Sequence, residues 1–176
     1  MEDFFQFLYK LSTLNVAKNP KIGDAPHKPI LLLTVFQMIR QGKIRQARLK
    51  LEPSLISEFK LNWHLLVTSH HSANIALPMF HMRSEGFWKL QTNAGYEKAA
   101  KVTRSVKNIK TFQEIFDCVL IDSQVFEILL DPKLNATAQD YLLWCYFPNT
   151  AHLYSKAESP AGYLDSKEQV RMVAEN

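Results

Sequence analysis

Ala25-Pro26-His27-Lys28-Pro29-Ile30-Leu31-Leu32-Leu33-Thr34-Val35-Phe36-Gln37-Met38-Ile39-Arg40-Gln41-Gly42 is the stretch on which the fold turns. Almost every position from Pro29 to Ile39 is apolar, which predicts a helix buried on all sides rather than one lying on a surface. Pro29 suits its first turn, where a missing N–H would have no partner anyway. Gly42 suits the position just past its end, where a left-handed backbone is needed. Such a helix must be surrounded by other elements.

The flanking sequence supplies them. Upstream, Phe4, Phe5, Leu8 and Leu11 recur at helical spacing and predict an amphipathic helix over 2–14, and the breakers around Pro20 and Gly23 mark 15–26 as a loop. Downstream, Ile44, Ala47, Leu49 and Leu51 among basic residues predict a short strand within 44–51. Pro53 opens a third helix over 53–66. Residues 67–78, rich in His, Ser and Asn, read as a loop. Met79–Arg83 and Phe87–Leu90 flank Ser84-Glu85-Gly86 and predict a β-hairpin. Residues 91–110 read as irregular and basic. Three helices are expected over 111–120, 123–130 and 134–147, separated by Asp122-Ser123 and Asp131-Pro132. The expectation is an α+β domain over 1–150, mainly helical with a small β-hairpin, in a winged-helix-like order. After Pro148 the apolar pattern fades, and 151–176 read as a linker or loose terminal helix.

The chain has 176 residues, 47% of them hydrophobic, enough for one sizeable core. Its net charge of +4 is unevenly spread. Residues 1–110 hold seventeen Lys/Arg against seven Asp/Glu, whereas 111–150 hold one against six. Two basic clusters stand out: Arg40, Lys43, Arg45, Arg48, Lys50, and Lys98, Lys101, Arg104, Lys107, Lys110. Clusters of this kind neutralise phosphates and release counterions, or else they are simply solvated faces. Cys118 and Cys145 sit among apolar neighbours and read as small buried hydrophobes. The acidic start Met1-Glu2-Asp3 lacks the pattern of a signal peptide, and no run reaches membrane-spanning length, so the expected location is cytoplasmic, with no membrane partner.

Three segments carry candidate chemistry. His27 and Lys28 stand at a helix start, where unpaired N–H groups and the helix dipole favour an anion; they read as a phosphate clamp or as an exposed capping loop. Asn74 to Arg83 is apolar yet lies between polar segments, which suits either core or a small apolar cup. Glu85-Gly86-Phe87-Trp88-Lys89 is a weak match to a metal-dependent nuclease motif without an upstream acid. His70-His71 lacks the partners of an HNH fold, and the histidines and cysteines lack zinc-finger spacing. No catalytic residue, metal or cofactor is expected.

Taken in order, Ala25 to Leu33, Leu77 to Leu90 and Leu142-Leu143-Trp144-Cys145-Tyr146-Phe147-Pro148 resemble the sulfur-binding domain of McrA-type HNH restriction endonucleases, over about 1–150. The resemblance implies a reader of double-stranded DNA whose backbone carries a phosphorothioate, serving a type IV, modification-dependent restriction system in bacterial defence. The nuclease would be a C-terminal HNH domain of a longer chain, so this chain would itself not be an enzyme. It further implies that His27, Lys28, Leu77, Pro78 and His81 hold the phosphorothioate, with Arg83, Lys101, Arg104 and Lys107 on the DNA backbone or bases. The family often has an aromatic residue at the position of Leu77, and some members have a small one near His81. Two other readings remain at this stage: a winged-helix-like regulator that binds ordinary DNA, and a nuclease with an unrecognised metal site.

Overall fold

The computed structural model describes residues 1–158, with side chains through Tyr154. The helix of the opening stretch, α2 (His27–Arg40), is its axis: Lys28 through Ile39 are all buried. The elements around it are α1 (Glu2–Ser12), β1 (Arg48–Leu49), α3 (Pro53–Leu66), α4 (Ala76–His81), β2 (Trp88–Thr92), α5 (Glu97–Val102), α6 (Ile109–Ile115), β3 (Phe116–Ile121), α7 (Ser123–Leu130), α8 (Pro132–Tyr146) and α9 (Ala151–Glu158). Helices α3, α4, α7 and α8 pack on α2, and α1 packs on α8. The class is α+β and mainly helical, as expected.

Local chemistry sets the boundaries. After Arg40, Gly42 takes a φ of 71° while its N–H bonds Ile39 O and the Lys43 N–H bonds Met38 O. This is the double hydrogen bond of a Schellman end, and it needs the left-handed glycine. Asp122 accepts from the N–H groups of Gln124 and Val125 to start α7, and Asp131 accepts from those of Lys133 and Leu134 to start α8. The few polar side chains that face the core are paired with one another or with backbone carbonyls. Asn62 donates to Thr34 and Gln37 on α2, and Asn135 donates to the carbonyls of Phe36 and Leu129.

The sheet corrects the sequence reading in three places. First, no hairpin forms over 79–90. Met79–Arg83 is helical, continuing from α4 into a 3₁₀ turn (Met82–Glu85) that Gly86 ends at a φ of 87°. Without that hairpin the winged-helix-like order loses its wing. Second, β2 pairs antiparallel with β3, which also pairs with β1, so the sheet order is β1-β3-β2. Third, the helix expected over 111–120 is a short α6 followed by β3. Phe116, Cys118, Val119 and Ile121 are all buried, and a short strand covered on both faces gives the same apolar run as a buried helix. The basic stretch 91–110, expected to be irregular, contains the end of β2, all of α5 and the start of α6. At the C-terminal end, α9 packs on α3 and buries Tyr154, so the packed unit continues past residue 150. Residues 159–176 of the expected linker lie outside the described residues. No helix among the described residues is long and apolar enough to cross a membrane.

Candidate nucleic-acid interface

The N-terminal end of α2 meets α4 at a cavity of about 620 Å³. His27, Lys28, Leu77, Pro78, His81 and Arg83 all line it. Two segments 50 residues apart in sequence are thus brought to one place by the packing of α4 on α2. Trp88 fixes α4 from behind, its indole N–H donating to Met79 O at 2.9 Å. Pro78 falls in the first turn of α4, where its missing N–H leaves no bond unmade. It is buried, while Leu77 and His81 are half-buried at the cavity wall.

Lys28 is held tightly. Its ammonium donates to Glu85 Oε1 at 2.5 Å and to Ser84 Oγ at 3.0 Å, and the Lys28 and Glu85 side chains are each only 8% exposed. Among the described residues, two of its three N–H donors therefore have partners. The same Glu85 oxygen accepts the Asn15 N–H at 3.0 Å. One residue earlier, the Leu14 N–H donates to the Tyr146 hydroxyl, which itself donates to Leu11 O at 2.5 Å. Burial pushes the Tyr146 phenol up to about 12. The three sequence blocks around Lys28, Glu85 and Tyr146 thus meet at the root of the 13–26 loop. That loop also lines the cavity, with Val16 and Ile22 as apolar contributors.

His27 Nε2 donates to Ser72 O at 2.9 Å, since a carbonyl can only accept. This leaves Nδ1 as the nitrogen for a ligand. The ring lies 4.7 Å from Trp63 and meets His71 edge-on at 5.9 Å. Burial lowers the His27 pKa; the Ser72 bond partly opposes this and nearby His71 adds to it. His81 is also lowered, by burial first and then by Lys28 and Arg83. Its Nε2 lies 3.2 Å from Ser105 Oγ. Both rings are therefore neutral near pH 7, and acid must charge them inside a partly desolvated wall.

This has a consequence for stability. For a histidine whose folded pKa is lowered, the unfolded chain binds the proton more readily. The stability contribution is complete above the ordinary value of 6.5 and is lost as pH falls from there toward the depressed folded values. Urea midpoints measured from about pH 8 to pH 5 should therefore fall below 6.5, and His27→Gln or His81→Gln should flatten the profile. A wild-type midpoint that rises on acidification would contradict this.

The other predicted contacts sit elsewhere. Arg83 lines the cavity with its guanidinium 4.0 Å from the centre of the Phe80 ring. Lys101 is exposed on α5, and Arg104 is exposed beside Ser105. Lys107 lines a separate groove. Much of the first basic cluster is ion-paired: Arg48 and Lys50 face Asp117, and Lys43 faces Glu58 at 3.5 Å. Glu85, the acid of the weak nuclease motif, is occupied by Lys28. Sequence reading missed the 13–26 wall, His71 and the role of Glu85. The breakers identified the loop, but no motif told which side of it would face a cavity.

Residues 5–154 match the family described as ScoMcrA-like, DNA sulfur-binding domain. No curated protein matches the chain significantly.

Proposed function

Because the chain belongs to the ScoMcrA-like DNA sulfur-binding domain family, we propose that the cavity between α2 and α4 binds one phosphorothioate of a DNA duplex. A phosphorothioate presents two different atoms to its receptor. Sulfur is larger and more polarizable than oxygen and accepts hydrogen bonds poorly, so it favours apolar contact. The remaining oxygen favours donors. The observation that carries the reading is the convergence of both kinds of group on one cavity. Leu77 and Pro78 offer an apolar surface, and Val16 and Ile22 add to the apolar lining. The remaining Lys28 N–H, the Arg83 guanidinium and the first amides of α2, which no side chain caps, offer donors and positive potential. His27 Nδ1 joins them when protonated, and His81 completes the wall. Lys101, Arg104 and Lys107 act on the backbone or bases outside the cavity.

In a longer chain such a reader would direct a C-terminal HNH nuclease in modification-dependent restriction. A ligand that binds only the folded state stabilises it by mass action, by about 2.7 kcal/mol at a hundredfold excess over Kd. A duplex with a single phosphorothioate should therefore raise the melting temperature of the protein more than the same duplex without sulfur. Equal shifts from the two duplexes would contradict the reading and favour a binder of ordinary DNA.

A further inference from the structure

The wall between α3 and α4 is the 67–75 segment, and it separates two cavities with no lining residue in common. His71 faces the cavity described above; Ser72, Ala73, Asn74 and Ile75 face a second one of about 590 Å³. Phe59 and Ile75 contribute its apolar lining, and Lys60, Lys107 and Lys110 its charge. These lysines come from α3, from the turn before α6 and from α6 itself, so they are adjacent only in the folded chain. All three are exposed, and among the described residues none lies within ion-pair distance of an acid. Unlike the cluster on Asp117, their charge is available to a partner.

The segment between the cavities is held from both sides. Ser72 O is bonded by His27, Asn74 Nδ2 donates to Lys107 O at 2.9 Å, and Asn74 Oδ1 accepts the Ala76 N–H at 3.1 Å. Thr68, His70, Ser72 and Ala73 remain exposed along it. The result is a braced polar ridge between two troughs that each attract phosphate. A duplex has the complementary relief, a groove of base edges between two phosphate backbones.

Resting on the reading of the first cavity as the phosphorothioate site, we propose that the 67–75 ridge enters a groove of the duplex. The first cavity then grips the modified strand, and Lys60, Lys107 and Lys110 grip the backbone of the opposite strand. The ridge hydroxyls and His70 lie where base edges would be.

The test uses the whole chain with Lys60, Lys107 and Lys110 all changed to alanine; exposed positions such as these leave folding intact. Binding is measured by anisotropy against salt, with a phosphorothioate duplex, its unmodified twin and the modified single strand. Each phosphate contact contributes about 0.9 to the log–log salt slope for a duplex. The triple variant should lower that slope by about 2–3 for both duplexes, and by clearly less for the single strand. An unchanged duplex slope, or equal losses on single strand and duplex, would overturn the two-strand arrangement. The wild-type ratio of modified to unmodified affinity tests the first cavity separately, because that ratio does not depend on the lysines.

Discussion

Glu85→Ala is expected to lower the unfolding free energy by about 3–5 kcal/mol, the usual cost of leaving one partner of a buried ion pair alone. Lys28 and Glu85 are both almost fully buried. Removing the acid strands the ammonium and also deprives the Asn15 N–H of its acceptor. Against the 5–15 kcal/mol typical of a domain, this is a large fraction. At about 2–4 °C per kcal/mol for a chain of this size, the melting temperature should drop by roughly 6–20 °C. Lys28→Ala should cost a similar amount for the mirror reason. Lys28→Met combined with Glu85→Leu should cost less than either single change, because no charge is then left unpaired. A loss below about 1 kcal/mol for Glu85→Ala would mean that the pair is solvated and contributes little. The same cycle bears on binding: if the double variant keeps its sulfur preference, Lys28 serves mainly to position α2 against the 13–26 loop.

Leu77→Asn is expected to abolish most of the preference for sulfur. Contact with an apolar wall is worth roughly 25 cal/mol per Å² removed from water, so a sulfur atom lodged against Leu77 and Pro78 gains on the order of 1–2 kcal/mol over a solvated one, or about five- to thirtyfold in affinity. An amide at this position offers hydrogen bonds that suit oxygen. The variant should therefore lose affinity for the modified duplex by about that factor and hold or gain affinity for the unmodified one. Leu77 is only half-buried, so the change spares the core. A variant that weakens on both duplexes alike would place Leu77 outside the sulfur contact.

What could be read from the sequence divides by range. The helix of the opening stretch, its Gly42 end, the Pro53 start and the Asp122 and Asp131 caps all depend on residues within a turn of one another. The sheet does not. Ser84-Glu85-Gly86 marks a turn, yet nothing local says whether strands or helices flank it. The partner of Trp88–Thr92 turned out to be Phe116–Ile121, and that run has the same apolar pattern a buried helix would show. The site follows the same rule. His27 and Lys28 could be picked out by their place at a helix start, Leu77, Pro78, His81 and Arg83 only through the family resemblance, and the packing of α4 on α2 places all six around one cavity. The bond from Lys28 to Glu85 and the presence of Val16 and Ile22 in the cavity lining carry no local signature, because they arise from the third dimension alone.

The most direct test of the central claim is a competition titration at fixed salt. The full chain is bound to a labelled phosphorothioate duplex and displaced by unlabelled duplexes of identical sequence with and without the sulfur. The expected result is displacement by the modified duplex at a concentration at least several-fold lower, a ratio that Leu77→Asn brings close to one. Equal displacement by the two duplexes would contradict the assignment of the α2–α4 cavity as a sulfur site.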